Sequence, residues 1–304
     1  MKSPRIILIV LFSYLFVGSV YASEGKGLEI ATEVDVRDRG FGDTTSTMTM
    51  TLFDQYGNST SRKIRNRTLE GTDEGDLSLV IFDTPADVKG TAFLSHTKKS
   101  GSDDQWLYLP ALKRVKRIAS SNQAGPFMGS EFAYEDISSQ ELEKYTYKYL
   151  RNEDYQGLDC FVVEYDPVDR KSGYKRQIVW MDKAEYRVHK IDFYDRKDAL
   201  LKTLTYEDYN QYLDKFWRSN RLVMINHQTG KKTELVFADW KFQTGMTERD
   251  FEKSALKRTN TSTKNTSKRD KDHVVFGITQ VLSLIHISEP TRPLYISYAV
   301  FCLK

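Results

Sequence analysis

The residue types that carry out enzyme chemistry are scattered in this chain of 304 residues. In residues 23–258 the three histidines, His96, His189 and His227, fall in separate strand-like stretches, and none has the HxH or HExxH spacing of metal ligands. The sequence contains no GxSxG, GxGxxG or P-loop pattern. We therefore predict no catalytic residue, no metal site and no cofactor.

The remaining reactive groups also have simpler explanations. The adjacent carboxylates of Glu135 and Asp136 are more typical of the capped start of a helical turn than of an acid/base pair. Cys160 is the one cysteine between residues 23 and 258, so it cannot form a disulfide within that region. Because it lies in a strand-like pattern, we predict that it is a buried small hydrophobic residue and not a nucleophile.

Apolar side chains are concentrated in one segment, residues 106–137. It begins with an alternating strand, Trp106–Leu109, which Pro110 ends because proline cannot donate to a sheet ladder. A loop with several aromatic residues follows, where an ordinary surface connection would be polar. Gly125 and Gly129 give this loop a permissive backbone. The pattern indicates a flap that carries apolar groups over the mouth of a cavity, or a loop that docks on a partner.

We predict that a ligand-binding wall is formed by this segment and by two strands elsewhere in the chain. Its residues are Met48, Met50, Trp106, Tyr108, Phe127, Phe132, Tyr134 and Trp180. The alternative is that these side chains are ordinary core. In an open barrel the two interpretations concern the same surface, since the inner face serves as both core and ligand wall.

A basic run lies between the strand and the flap. It consists of Lys113, Arg114, Lys116 and Arg117. One interpretation is contact with anionic lipid headgroups or an acidic partner, where each basic residue near a membrane surface contributes about 1 kcal/mol. The other is that an edge strand carries Lys and Arg to prevent aggregation. The sequence leaves both open.

The elements that position these residues are mostly strands. Threonines at 45, 47, 49 and 51 alternate with Met48, Met50 and Leu52, which predicts a half-buried strand. Similar short runs separated by turn residues continue to Trp240. One amphipathic helix is predicted over Gly27–Arg39, with Leu28, Ile30, Ala31 and Val34 on its apolar side. We therefore predict a mainly β fold, in which a curved antiparallel sheet forms an open half-barrel.

The two ends of the chain differ from the region between them. Residues 1–22 have the basic start, apolar run and small-residue cleavage site of a signal peptide, and the run is too short to span a bilayer. Residues 259–304 combine a polar tract with an apolar stretch that resembles a translated sequencing adapter, so we expect a disordered or artefactual tail. Without these ends, residues 23–258 are close to neutral, which argues against nucleic-acid binding.

Three stretches in a fixed order, WLYLP, KRVKRI and FMGSEFAYED, resemble the signature of the LolA-like outer-membrane lipoprotein-sorting proteins. Further matching stretches at 172–174, 179–183 and 193–197 extend the resemblance over nearly all of residues 23–258. The resemblance is specifically to the larger periplasmic relatives of the carrier LolA. The resemblance implies an open half-barrel with a few short helices as a lid, over an apolar cavity that shelters acyl chains.

From this resemblance we expect a carrier or chaperone, exported to the periplasm by a cleaved signal peptide. It would shelter lipid or lipoprotein acyl chains during transport to the outer membrane and contact the membrane surface transiently. The alternative is a non-catalytic partner subunit of an inner-membrane lipid-exporting pump, which would dock through residues 119–136. Neither hypothesis includes a covalent step.

Overall fold

The structure is a computed structural model that describes residues 23–258. The predicted signal peptide, residues 1–22, and the predicted tail, residues 259–304, lie outside the described residues. No helix among the described residues is both long enough and apolar enough to cross a membrane.

Thirteen antiparallel strands form one curved sheet that does not close into a barrel. The predicted fold class is therefore confirmed. The strands are β1 (Asp43–Phe53), β2 (Ser59–Leu69), β3 (Leu77–Thr84), β4 (Ala92–His96), β5 (Asp104–Leu109), β6 (Arg114–Ile118), β7 (Tyr145–Tyr155), β8 (Leu158–Pro167), β9 (Tyr174–Asp182), β10 (Val188–Asp195), β11 (Leu200–Tyr212), β12 (Phe216–Asn226) and β13 (Lys232–Phe242).

The strand order follows from two meanders that meet at β1. Strands β1 to β6 pair in sequence, β13 to β7 pair in reverse sequence, and β1 pairs with both β2 and β13. Strands β6 and β7 are thus the two edges of the sheet. The connection between them, residues 119–144, must pass from one edge to the other. This topology places a long segment across the open half-barrel.

Strand β1 shows how the sequence pattern fixes the two faces. Met48 and Met50 are buried, at 6% and 0% exposure, whereas Thr49 between them is partly buried and Thr47 before them is exposed. Met48 lies opposite Ile64 on β2 and opposite Phe237 on β13, so these side chains share one face. The alternation predicted for this strand is confirmed.

The described part of helix α1 covers residues 23–38 and packs on the face that carries Met48 and Met50. Ile30 and Ala31 are buried there and Val34 is partly buried. Leu28, which was predicted on the apolar side, is 49% exposed, because the buried stripe follows residues 27, 30, 31 and 34 instead. An ion pair between Asp38 and Arg218 of β12 fixes the end of the helix.

The opposite face of β3, β4 and β5 is covered by a C-terminal strap, residues 245–258, which ends in the short helix α2 (Ala255–Arg258). Phe251 and Leu256 of the strap are fully buried. Asp43 at the start of β1 accepts hydrogen bonds from the backbone N–H groups of Gly245 and Met246, at 2.9 and 3.2 Å. Both faces of this part of the sheet are therefore covered by the chain itself.

Candidate functional site

The face covered by α1 is apolar over nearly its whole width, and we call it the concave face. Twelve strands contribute buried apolar side chains to it, and β6 contributes the partly buried Ile118. Fully buried members include Met50, Ile64, Phe82, Phe93, Met181 and Met224. No second sheet covers this surface in residues 23–258; α1 and the crossing segment do so.

The crossing segment contains a compact loop, residues 126–137, which we call the lid. Pro126 and Ala133 form an isolated antiparallel bridge, and the N–H of Phe127 donates to the carbonyl of Phe132 at 2.7 Å. Between them the chain turns with positive φ at Met128 and Gly129, 51° and 78°. The glycine adopts this conformation without strain. The lid thus has its own internal hydrogen bonds and forms a compact local structure.

The lid inserts an aromatic side chain into the concave face. Phe127 is fully buried, and its ring centroid lies 5.2 Å from that of Phe93 and 6.0 Å from that of Phe82. Tyr134 packs edge-on to Phe127 at 5.4 Å. Phe132 is 3% exposed. Apolar groups of the lid therefore fill the hollow of the half-barrel.

Polar contacts hold the lid at the end of the sheet where β1 finishes, which we call the lid end. Arg62 of β2 donates to the carbonyl of Met128 at 2.6 Å. The N–H of Glu131 donates to Oγ1 of Thr233, at the start of β13, at 3.0 Å. Both contacts join the lid to the inner side of the sheet. They connect it to the two strands that flank β1 in the sheet.

A buried charge completes this attachment. Nζ of Lys202, on β11, donates to the carbonyl of Glu131 at 2.9 Å and to Oδ2 of Asp136 at 2.8 Å. The hydroxyl of Tyr174, on β9, donates to Oδ1 of Asp136 at 2.8 Å. Nδ2 of Asn226 donates to Oε2 of Glu131 at 2.7 Å. Three donors of the sheet thus meet two carboxylates of the lid.

The electrostatics of this cluster follow from its burial. Burial, together with the charges of Asp136 and Glu135, raises the pKa of Tyr174 well above its usual value, so the phenol stays protonated and donates. Burial, reinforced by Asp136, raises the pKa of Glu135 despite its hydrogen bond from the N–H of Gly173. Asp136 also accepts from the N–H of Ala133 at 2.7 Å, which is the capping role predicted for this carboxylate pair.

The other end of the concave face, where β1 begins, is the helix end. A cleft of about 930 Å³ opens there, with Ala31 and Val34 of α1, Leu142 and Tyr147 among its apolar lining. Its rim is acidic and includes Asp76. Burial raises the pKa of Asp76 to about 7, and the nearby Glu141 adds to the shift.

The structure brings five of the eight predicted ligand-binding residues together on the concave face. They are Met48, Met50, Phe127, Phe132 and Tyr134. Trp106 and Tyr108 lie in a separate cluster under the C-terminal strap, and Trp180 lies in a third cluster with Cys160. In β5, Leu107 faces the concave side instead of its two aromatic neighbours. Cys160 is fully buried, and burial raises the pKa of its thiol to about 11.

The predicted basic run forms the edge of the sheet. Arg114, Lys116 and Arg117 lie on β6 and are exposed, while Lys113 lies in the turn before it, with φ 49°. Arg114 and Lys116 pair with Leu109 and Leu107 and therefore share the concave side. An edge strand with exposed cations fits the edge-protection interpretation, and the headgroup interpretation stays a prediction.

Sequence reasoning missed Lys202, Tyr174 and Asn226. A lysine within an alternating strand is normally predicted to face solvent. One signal was present: Lys202 lies two residues before Leu204, so both must be on the same face of β11. No group of three or more His, Cys, Asp or Glu side chains able to hold a metal occurs between residues 23 and 258.

Comparisons with known proteins point to one kind of protein. A family model described only as that of an uncharacterized protein matches residues 74–258. The chain is 58% identical to the crystal structure of an outer-membrane lipoprotein-sorting protein domain from Vibrio parahaemolyticus. That match covers 77% of this chain and 100% of that one, with a TM-score of 0.76. No curated protein matches the chain.

Two further solved structures are similar. A DUF1329 family protein from Desulfovibrio piger is 28% identical, over 77% of this chain and 99% of that one, with a TM-score of 0.73. A LolA superfamily protein from Nitrosomonas europaea is 23% identical, over 75% and 97% of the two chains, with a TM-score of 0.61. At that identity the last similarity shows the fold alone.

Proposed function

The chain belongs to the LolA-like family of outer-membrane lipoprotein-sorting proteins, and from this premise we propose that it is a periplasmic carrier for the acyl chains of lipoproteins or lipids. The carrier is exported with cleavage of residues 1–22, shelters acyl chains during transport to the outer membrane and releases them there. It works by burial and release, without a covalent step.

One observation carries this proposal: the apolar concave face is covered by a lid that inserts apolar side chains into it and is held in place by polar contacts. Each Å² of apolar surface removed from water contributes about 25 cal/mol, so an uncovered hollow is unfavourable. Phe127 and Phe132 cover it in the present structure. An acyl chain presents the same kind of surface and can take their place when the lid moves. The concave face then has an acyl chain as its apolar cover in place of the lid phenylalanines.

The residues proposed to contact acyl chains are those that the fold brings together. Met48 and Met50 form the floor, and unbranched thioether side chains adapt to ligands of variable shape. Phe127, Phe132 and Tyr134 form the cover. Trp106, Tyr108 and Trp180, which lie on the other side of the sheet, are not part of this proposed wall.

The alternative, a partner subunit that docks on an inner-membrane lipid-exporting pump through residues 119–136, predicts apolar groups on the outer surface of that segment. The structure has Phe127 and Phe132 turned inward, at 0% and 3% exposure. This burial favours the carrier over the docking subunit. A contact with such a transporter during loading is compatible with the carrier proposal.

Calorimetric titration with two matched peptides tests the proposal. One peptide carries an N-terminal cysteine modified with diacylglycerol and an N-acyl chain, and the other is the same peptide without acyl groups. We expect the purified protein to bind the acylated peptide with a micromolar or lower Kd and to show no heat of binding with the other. Equal binding of both peptides, or no binding of the acylated one, would contradict a carrier role.

A further inference from the structure

Lys202 is a charged residue on a face of the sheet that is mostly apolar. Its side chain is 5% exposed and lies on the same face of β11 as Leu204. The ammonium group sits 5.0 Å from the ring centre of Tyr174 and 5.3 Å from that of Phe193. A buried ion pair is weak grounds for stability, since an apolar side chain of similar volume often stabilises as well or better. The presence of Lys202 on this surface therefore calls for another explanation.

The partners of Lys202 show a division between sheet and lid. The donors are on the sheet: Nζ of Lys202, the hydroxyl of Tyr174 and Nδ2 of Asn226. The oxygens they meet are on the lid and belong to Glu131 and Asp136. The sheet thus carries a cluster of hydrogen-bond donors with one positive charge. Carboxylate and carbonyl oxygens of the lid accept the hydrogen bonds of this cluster.

We propose that Lys202, Tyr174 and Asn226 form a headgroup subsite for an anionic amphiphile, whose carboxylate or phosphodiester is attached to an acyl chain. In the closed state the oxygens of Glu131 and Asp136 occupy this subsite in place of the headgroup. The inference rests on the proposed carrier function, because it assigns a polar subsite to the acyl-binding face.

The physical reason is the cost of moving the lid. When the lid leaves, Asp136 and Glu131 leave with it, and the ammonium group of Lys202 remains on an apolar surface without a partner. Removing one partner of a buried hydrogen bond costs more than the bond contributes, and the cost is higher for charged groups. A neutral acyl compound has no charged group to pair with Lys202, so it does not reduce the cost of opening the lid. An anionic group next to the acyl chain removes it, so anionic cargo opens the lid more readily.

Competition against a bound fluorescent fatty-acyl probe tests the proposal with the full purified protein. The competitors share one palmitoyl chain: palmitate, palmitoyl lysophosphatidylglycerol and the neutral monopalmitoylglycerol, at mildly alkaline pH where palmitate is ionised. We expect at least one anionic competitor to bind about tenfold or more tightly than the neutral one, since a charge-assisted hydrogen bond is worth about that factor. The two anionic arms distinguish a carboxylate from a phosphodiester headgroup.

Three variants separate a headgroup subsite from a purely structural ion pair. Lys202→Met and Asp136→Asn both break the same ion pair and both loosen the lid. Lys202→Met should abolish the anionic preference while keeping binding of the neutral compound. Asp136→Asn should keep the preference or increase it, because Lys202 remains. Lys202→Arg should retain most of the preference.

Each other outcome overturns the inference. If the wild-type protein binds all three compounds equally, or if Lys202→Met keeps the anionic preference, the subsite is not at Lys202. If neither anionic nor neutral compounds bind, the carrier proposal fails as well. The two failures are therefore distinguishable in one set of titrations.

Discussion

At the helix end of the concave face a regular helix covers the sheet, and Ile30 and Ala31 of α1 are buried in the same core as Met50. At the lid end a loop of short turns covers it, with two buried phenylalanines and a cluster of hydrogen bonds. Both ends shield the same apolar surface. They differ in how the covering segment is attached.

The difference concerns what remains when each cover is removed. In the ion pair of α1 with Arg218, the side chain of Asp38 is 52% exposed, so water can reach this carboxylate when the pair separates. The pair of Lys202 with Asp136 is buried. When the lid leaves, the charge of Lys202 therefore remains among apolar side chains without a partner. A cover of the second kind has two favourable states only if something else can satisfy Lys202. We infer that the lid end is the one that opens for cargo.

The largest expected effect is a difference between variants of the lid and variants of the core that it contacts. Phe127→Ala should accelerate hydrogen exchange of the lid amides by about a hundredfold or more, since loss of a buried Phe costs about 3–5 kcal/mol. Exchange in the central strands should change much less. Phe93→Ala, which removes the ring that packs against Phe127 from the sheet side, should instead lower the global free energy of unfolding by about 3–5 kcal/mol.

The same two variants can refute the distinction between lid and core. If Phe127→Ala lowers the urea midpoint of global unfolding as much as Phe93→Ala does, the lid unfolds only with the whole domain. The two ends of the concave face would then be closed in equivalent ways.

A smaller effect is expected at the membrane surface. Strand β6 starts at the lid end, so its exposed cations lie where cargo would enter or leave. Changing the four residues of the basic run to Gln should weaken binding to anionic vesicles by about tenfold or more at low salt, given about 1 kcal/mol for each basic residue near the surface. The difference should shrink as salt is added. Vesicle co-sedimentation measures it.

The matched control changes four exposed lysines elsewhere on the chain. These are Lys26, Lys215, Lys241 and Lys257, none of which lies in a turn at the lid end. If both sets of changes weaken vesicle binding equally, only net charge matters. The basic run would then serve to protect the edge of the sheet, as the second interpretation of the sequence holds.

The smallest effect is a pH dependence at the helix end. The pKa of Asp76 is raised to about 7 from 3.8, so the folded protein binds a proton there that the unfolded chain has released. Stability contributed by this group is therefore fully present below a pH of about 3.8 and is lost progressively as the pH rises to about 7. Asp76→Asn keeps an acceptor for the N–H of Gly71 and removes the charge.

We expect the Tm of Asp76→Asn to exceed that of the wild type by a few degrees above pH 7 and to match it at acidic pH, when scanning calorimetry is run over that range. A Tm difference that is the same at every pH would show that the carboxyl of Asp76 titrates normally.

The fold was largely predictable because it depends on local alternation. The threonine and methionine pattern of β1 identified both its extent and its buried face, and turn residues marked most strand boundaries. The position of Trp106 was not predictable in this way. Both sides of β5 carry apolar residues, since the C-terminal strap covers the outer face with Phe251 and Leu256 from more than 140 residues away in the sequence. Alternation alone cannot say which of two buried faces is the concave one.

The candidate site was predictable in part. The aromatic loop with its glycines indicated a cover over a cavity, and Phe127 does fill the concave face. Lys202, Tyr174 and Asn226 come from three strands and meet only because β9, β11 and β12 curve around the lid. Such a cluster depends on long-range register, which a single sequence does not reveal.

The most direct test of lid opening is to fix the lid to the sheet with a disulfide bond. Glu131→Cys with Thr233→Cys introduces thiols at two residues that are in contact, since the N–H of residue 131 donates to Oγ1 of residue 233 at 3.0 Å. Cys302→Ser removes the competing thiol of the tail, and Cys160 is fully buried. Thr51→Cys with Ser61→Cys joins β1 to β2, where the two hydroxyl oxygens lie 3.0 Å apart, and serves as a control.

The measurement is the Kd of a fluorescent fatty-acyl probe for each protein, oxidised and then reduced. We expect the oxidised lid variant to bind the probe at least about tenfold more weakly than its reduced form, since only the open fraction binds. The control should bind equally in both states. The disulfide of the oxidised lid variant is verified by mass spectrometry. If this variant binds the probe as tightly as the reduced protein does, the lid does not open for cargo, which contradicts the proposed role of the lid end.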